Sequence, residues 1–158
     1  MNQTVIPMIK EQQRFNRRVR AILLTGRGTI LFIKRVKPGR APYYVAPGGG
    51  MEDQDADLLA TLHRELAEEL GASIEALATA FVLEHTKAGK ALQEHFFICR
   101  LWSYDLDQRH GPEFGDSARG QYIPVEVPLE VAALTRLNIK TPELLDYLLK
   151  HRAALQRM

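Results

Sequence analysis

The sequence predicts an α/β fold, in which helices cover the faces of a mixed β-sheet. Two apolar runs, 19–35 and 76–102, each contain a turn and are typical of β-hairpins. A helix with leucines at helical spacing lies between them, and another lies near the carboxyl terminus. Hairpins separated by amphipathic helices indicate a sheet packed against helices. The 158 residues, 46% of them apolar, are enough for one core, so residues 1–158 are predicted to form a single domain.

The first hairpin is predicted to pair Val19–Leu24 with Thr29–Arg35. Both strands are almost continuously apolar, which indicates a sheet covered on both faces. A short strand over Tyr43–Ala46 follows a loop rich in proline and glycine. Residues 1–16 are polar and mixed, so they are predicted to form an amino-terminal arm, which could be exchanged between the subunits of a homodimer.

The segment from Pro47 to Ala72 joins a glycine loop to an acidic helix. In the loop, Gly48–Gly50 let the backbone take positive φ and approach a ligand closely. Three aspartates surround the predicted helix start, where carboxylates can cap free N–H groups: Asp53, Asp55 and Asp57. Four leucines form the predicted apolar stripe of the helix: Leu59, Leu62, Leu66 and Leu70. Gly71 is the predicted carboxyl-terminal cap.

After the second hairpin, residues 103–120 are predicted to be a loop, because they are rich in Asp, Gly, Arg and Pro. Gln121–Pro128 is the predicted final strand, and Leu129–Leu137 is predicted to contain a short helix. A structural helix is expected over residues 141–154, with Thr141 as its N-cap and proline in its first turn.

The acidic helix carries three carboxylates on one face: Glu65, Glu68 and Glu69. Neighbouring carboxylates repel each other unless a cation lies among them. A solvated acidic face is the alternative. The adjacent glycine loop, and Arg64, which can pair with Glu68 one turn later, favour an oxygen-lined site for a divalent cation. The predicted cofactor is Mg²⁺, with Mn²⁺ as a substitute.

The run Arg64–Gly71, RELAEELG, resembles the signature of the Nudix hydrolases. That signature also expects a Glu earlier in the segment, at a fixed spacing after a Gly. Counted from Gly50, the expected Glu falls on Ala56, so the first half of the signature is degenerate. Asp55 or Asp57 could supply the acid, or the loop could carry an extra residue. The resemblance implies a Nudix-type α/β/α sandwich with a mixed β-sheet.

The resemblance also implies roles for the matching residues. Glu65, Glu68 and Glu69 would hold the metal, and Arg64 would orient a carboxylate. The general base would be one of these glutamates or Glu113, a carboxylate in the 103–120 loop, with Asp116 in reserve. The predicted catalytic residues are therefore Arg64, Glu65, Glu68 and Glu113.

Several other residues are predicted to bind the substrate. Gly48–Gly50 would shape the site with their backbone. Arg35 ends a strand where the resemblance places a phosphate-binding cation, although an exposed charge is the alternative. Tyr44 could stack on a base or sugar, or simply pack. Four polar residues lie at facing ends of the second hairpin, either lining the cleft or forming cross-strand pairs: Glu84, His85, Glu94 and His95. Of these, His95 is the predicted substrate contact.

The predicted function is a Mg²⁺-dependent pyrophosphohydrolase that cleaves a nucleoside diphosphate linked to another moiety, through attack of an activated water on phosphorus. One alternative is a non-catalytic Nudix module that binds a nucleotide-like ligand as a sensor, which the missing Glu at position 56 supports. The other is a structural domain with a solvated acidic helix.

The resemblance implies a small nucleotide-type substrate as the partner, and the bulk properties give no reason to add another. A formal net charge of +2 gives no reason to expect nucleic-acid binding or membrane binding. No apolar run is long enough to span a membrane, and the first residues lack an apolar signal core. The single cysteine, Cys99, excludes an internal disulfide, fits a cytoplasmic location, and is predicted to be buried and inert.

Overall fold

The computed structural model describes residues 16–111, residue 114 and residues 117–158. The strands within these residues are β1 (Asn16–Leu24), β2 (Thr29–Val36), β3 (Tyr43–Val45), β4 (Gly48–Gly50), β5 (Ser73–Lys87), β6 (Lys90–Ser103), β7 (Gln121–Pro128) and β8 (Ile139–Lys140). The α-helices are α1 (Leu58–Leu70), α2 (Val131–Thr135) and α3 (Pro142–Gln156). The predicted α/β class, with a mixed sheet, is confirmed.

The strand order of the sheet is β5-β6-β1-β2-β3-β8, while β4 also pairs with β1 and β7 with β2. The pairing of β1 with β2 runs through Leu23 and Leu24, opposite Leu31 and Ile30. Nearer its start, β1 pairs with β4 instead, and the end of β2 pairs with β3. The sheet therefore forks. We call β6, β1 and β4 the first branch, and β7, β2, β3 and β8 the second branch.

Apolar clusters cover both faces of the sheet, as the apolar strands predict. Side-chain alternation places Ile22 in one cluster and Leu23 in the other, both fully buried. Helix α1 packs on one face through three leucines: Leu62, Leu66 and Leu70. Helix α3 packs on the opposite face through three others: Leu144, Leu148 and Leu155. The two helices thus hold the sheet between them.

The ends of α1 follow from its capping residues. The Asp57 carboxylate accepts a hydrogen bond from the Ala60 N–H at 2.8 Å, and Gly71 ends the helix with a φ of 59°. One predicted member of the apolar stripe is wrong, because Leu59 is 45% exposed. Leu58 packs against the core cluster at the first turn instead.

Two further predictions differ from the structure in detail, and one strand was not predicted. The segment Gly48–Gly50, predicted as a loop, is strand β4, and its partner is the start of β1. Strand β8, which pairs in parallel with β3, was not predicted. Thr141 does precede α3, but its side chain makes no capping hydrogen bond. The second hairpin is present as β5 and β6.

Some predictions fall outside the described residues. Residues 1–15 of the predicted arm lie there, as do Glu113 and Asp116. The single-domain division and the homodimer stay predictions. Cys99 is fully buried, and burial raises the pKa of its thiol to about 12, so the thiol is neutral and unreactive at pH 7. In the described part of the chain, no helix has the length and apolar character needed to span a membrane.

Candidate functional site

A cleft of about 600 Å³ opens where the sheet forks. One side is built by α1 and the first branch, and its polar lining includes Arg18, Arg20, Glu65, Glu69 and Glu94, together with the backbone of Gly48–Gly50. The other side is built by the second branch, with Arg35, Tyr43, Tyr122 and Lys140. The fork therefore brings residues that are distant in sequence to one site.

The glycine strand lies directly against two glutamates of α1. The Gly48 N–H donates a hydrogen bond to Oε1 of Glu69 at 3.3 Å. A Cβ on Gly49 would lie 2.3 Å from Cδ of Glu65, so only glycine leaves room for that carboxylate. Burial raises the pKa of Glu65, although the charge of Arg64 acts in the opposite direction.

Arg64 links the carboxylates of α1 to the glycine strand. Its Nη1 contacts Oε1 of Glu65 at 3.2 Å and Oε1 of Glu68 at 3.3 Å. Its Nη2 donates to the Gly50 carbonyl at 2.9 Å. The pairing of Arg64 with Glu68 that the sequence predicts is thus present, and the same guanidinium also fixes Glu65.

Asp55, the neighbour of Ala56, is the aspartate that Arg64 contacts in this turn. It receives two hydrogen bonds from Arg64, at 2.9 Å on Oδ1 and 2.8 Å on Oδ2, while Ala56 is exposed. Hydrogen bonds from Arg64, from the Glu52 N–H and from the Thr61 hydroxyl hold the pKa of Asp55 well below its usual range. Of the two aspartates predicted to flank the gap, Asp55 therefore braces the turn and Asp57 caps the helix.

Asp55→Asn is expected to lower kcat/KM by about 10- to 100-fold, because the neutral amide cannot hold both arms of Arg64. Steady-state kinetics measure the loss. Ala56→Glu is the control, and a change of less than about twofold is expected, since Asp55 already occupies the fork of Arg64. A larger gain in Ala56→Glu would show that the turn lacks a brace.

The difference in stability between wild type and Asp55→Asn should also depend on pH. Because the pKa of Asp55 is lowered in the fold, its stabilising contribution is present above its unfolded value, near 3.8, and is lost as the pH falls below that value. The difference in melting temperature between wild type and Asp55→Asn should therefore shrink in acid.

The donor set on α1 fits a hard divalent cation by its chemistry, since it offers only carboxylate oxygens. Arg64 contacts Oε1 of Glu65 and of Glu68, which leaves Oε2 of each without a described protein donor. In the described ranges, no three acidic, histidine or cysteine side chains already converge as a ligand cluster. Arg64 fixes Glu65 and Glu68, and the Gly48 N–H fixes Glu69, so each carboxylate is positioned by a hydrogen-bond donor.

Arg35 lies in the cleft but is held by the second branch. Its Nε donates to the Gln121 carbonyl at 3.3 Å, another of its nitrogens donates to the Arg119 carbonyl, and its Cζ lies 3.7 Å from the centre of the Tyr122 ring. The guanidinium is therefore fixed in place before any ligand binds.

Strand alternation separates other predicted substrate contacts from the cleft. Tyr43 and Glu94 line the cleft. Their neighbours face away from it: Tyr44 packs against the core, and the ring of His95 contacts Gln93 at 2.6 Å. Glu94 is 6% exposed and forms a 3.0 Å ion pair with Arg20. The placement gives Tyr44 and His95 no contact with the cleft.

The cleft residues that sequence analysis missed include Arg18, Arg20 and Lys140, whereas Glu94 was one of the four hairpin residues considered for the cleft. Arg18 and Arg20 alternate on β1 beside the glycine strand, and Nε of Arg18 is buried without a described hydrogen-bond partner. Burial, together with the charge of Arg20, lowers the pKa of Arg18. The two arginines could have been found from their alternation in the sequence 17–20, which contains three arginines, but nothing in the sequence pattern marks Lys140.

The model of the NUDIX domain family matches residues 14–148. In a comparison with curated proteins, none matches. Among solved structures, the chain is similar to the NUDIX hydrolase from Nitrosomonas europaea, with 18% identity and a TM-score of 0.68 over 89% of this chain and 90% of that one. It is also similar to a UDP-X diphosphatase, with 15% identity and a TM-score of 0.64 over 94% and 70% of the respective chains. The chain is similar as well to the Ap4A hydrolase of C. elegans, with 16% identity and a TM-score of 0.58 over 90% of this chain and 99% of that one.

Proposed function

The chain belongs to the Nudix family, and from that membership we propose that it is a divalent-metal-dependent pyrophosphohydrolase acting on nucleoside diphosphate derivatives. The predicted resemblance is confirmed, and so is the predicted enzyme class, a hydrolase acting on phosphoanhydride bonds. The metal and the substrate are parts of the proposal.

The Arg64 network is the observation that carries the proposal. One guanidinium contacts Asp55, the Gly50 carbonyl, Glu65 and Glu68, so the turn, the glycine strand and the carboxylates form one rigid unit. A fixed set of carboxylates beside a fixed backbone is what placing a cation against a phosphate requires. On a solvated acidic face, the carboxylates would instead be hydrated and free to move.

Nudix enzymes generally use divalent metals, and here Glu65, Glu68 and Glu69 would hold Mg²⁺ or Mn²⁺. When bound, the metal would neutralise charge on phosphate oxygens and acidify a water molecule. Arg64 keeps Oε1 of two glutamates in fixed positions. Arg18 lies in the same cleft and is suited to a phosphate oxygen.

The general base stays open between a glutamate of α1 and Glu113, which lies outside the described residues. The structures similar to this chain include a UDP-X diphosphatase and an Ap4A hydrolase, which supports a nucleotide-type substrate. Cleavage of the phosphoanhydride bond would release a nucleoside monophosphate, and the proton of the attacking water would pass to the base.

The proposal is tested with a panel of nucleoside diphosphate sugars, dinucleoside polyphosphates and nucleoside triphosphates, each with Mg²⁺ or Mn²⁺. We expect at least one class to yield a nucleoside monophosphate by chromatography, and EDTA to stop the reaction. Glu68→Gln should be inactive with an unchanged melting curve. Failure of the wild type to turn over any member of the panel would contradict the proposal.

The main support for a non-catalytic sensor is the missing Glu at position 56. That support is weaker because Asp55 accepts two hydrogen bonds from Arg64 in the same turn. A calorimetric titration with Mn²⁺ separates the two functions. A metal-dependent hydrolase should bind the ion and lose binding in Glu65→Gln, whereas a protein that binds nucleotides but no metal would be a sensor.

A further inference from the structure

Cations line both sides of the cleft, whereas the described carboxylates that line it are confined to one side. Five cationic side chains line the second branch and its connecting loops: Arg35, Lys37, Arg40, Arg119 and Lys140. The described carboxylates that line the cleft lie on α1 or the first branch: Glu65, Glu69 and Glu94. Like charges on one wall repel each other, and that repulsion is relieved when an anion binds.

Three of these cations surround the ring of Tyr43. From the ring centre, Nζ of Lys140 lies at 4.9 Å, Cζ of Arg40 at 5.0 Å and Nζ of Lys37 at 5.9 Å. The negative face of the ring attracts such groups and keeps them together. Burial alone would raise the pKa of Tyr43, but a hydrogen bond with Lys37 and the charges of Arg35 and Arg40 lower it, which indicates a positive potential here.

The three cations are not neutralised by the described part of the protein. No described carboxylate forms an ion pair with Lys37, Arg40 or Lys140, whereas Arg20 in the same cleft is paired with a glutamate. Beside Lys140, the side-chain oxygen of Thr141 lines the cleft, is buried, and has no described hydrogen-bond partner. Its hydroxyl can donate to an anion.

We propose that the Tyr43 cluster, made of Lys37, Arg40, Tyr43, Lys140 and Thr141, binds a phosphoryl group of the substrate that lies beyond the cleaved diphosphate. This inference rests on the proposed function, which places the cleaved linkage at the α1 carboxylates. A neutral sugar would leave three cations unpaired, whereas a phosphoryl group offers several anionic oxygens. The substrate class is therefore a nucleoside polyphosphate, or a nucleoside diphosphate whose second moiety is itself phosphorylated.

Binding can be tested without catalysis. Calorimetry in EDTA with inorganic tripolyphosphate as the probe should give about tenfold weaker binding for Arg40→Gln/Lys140→Gln than for wild type. Both side chains are exposed, so the variant should fold, and a melting curve checks this. Lys150→Gln removes an exposed lysine of α3 outside the described cleft lining and should bind like wild type. Equal loss in Lys150→Gln, or no loss in the double variant, would overturn the inference.

A kinetic comparison identifies the substrate class. The double variant should lower kcat/KM about tenfold, through KM, on nucleoside polyphosphates, and less than about twofold on a nucleoside diphosphate joined to a neutral sugar. Equal losses on both substrates would overturn the inference, because the cations would then serve the cleaved diphosphate itself. If tripolyphosphate binds as expected but no substrate is hydrolysed, the anion site stands and the proposed function fails.

Discussion

Glu65→Gln is expected to lower kcat/KM by about 1000-fold, while the melting temperature at pH 7 stays the same or rises. The amide keeps the size of the side chain and the Oε1 acceptor that Nη1 of Arg64 contacts at 3.2 Å. It removes the negative charge that would hold a cation. Activity should therefore fall without a loss of thermal stability.

The stability side of this prediction follows from the sign of a pKa shift. Burial raises the pKa of Glu65, with Arg64 opposing the shift and Glu68 adding to it. A carboxyl group whose pKa is raised in the fold stabilises it below the unfolded pKa, and that contribution is lost as the pH rises through the folded value. When Glu65 is ionised, its charge is therefore a net cost to the stability of the fold, which the neutral amide avoids.

Kinetics and thermal melts of the same preparations give both readouts. Glu75→Gln, an exposed glutamate of β5, is the matched control and should leave both unchanged. Full activity in Glu65→Gln would remove Glu65 from the proposed metal site. A clear fall in its melting temperature would show that the carboxylate stabilises the fold after all.

The parts of the fold that sequence predicts are those fixed by local chemistry. In α1, the leucine spacing and the cap residues Asp57 and Gly71 decide the element without reference to the rest of the chain. The hairpins follow in the same way from apolar runs around short turns. For these elements, sequence neighbours are also the structural partners.

What was missed depends on contacts between distant segments. Strand β8 has two residues, too few to show a period, and exists because β3 offers it an edge. The choice of Tyr43 over Tyr44 in the cleft depends on which face of β3 turns inward, and one residue of register reverses it. The contact of Lys140 with the Tyr43 ring joins β8 to β3, so the sequence around Tyr43 does not reveal it.

The signature itself shows the limit of counting residues. Its spacing assigns the bracing acid to position 56, but Arg64 selects whichever carboxylate its guanidinium can reach, and that is Asp55. Spacing predicts which chemistry is required near the turn. Only the geometry shows which residue supplies it.

Gly49→Ala is expected to lower kcat/KM by about 100-fold with little change in melting temperature. The new Cβ would lie 2.3 Å from Cδ and 2.4 Å from both carboxylate oxygens of Glu65. Those atoms are the end of a flexible side chain, so the carboxylate can move aside without disturbing the core. A displacement of about 1 Å at a catalytic group is enough for a loss of this size.

The neighbouring glycines distinguish this cause from general damage to the strand. In Gly50→Ala the nearest atom to the new Cβ is Nη1 of Arg18 at 4.0 Å, so activity should stay within about twofold. In Gly48→Ala the Cβ would lie 2.0 Å from the Val19 carbonyl oxygen, at a φ of 154°, so β4 should separate from β1 and the fold should lose stability. If Gly49→Ala instead lowers the melting temperature, as Gly48→Ala should, then Gly49 is required for the packing of β4. If it loses activity at an unchanged melting temperature, the strand is glycine-rich because the Glu65 carboxylate needs the space.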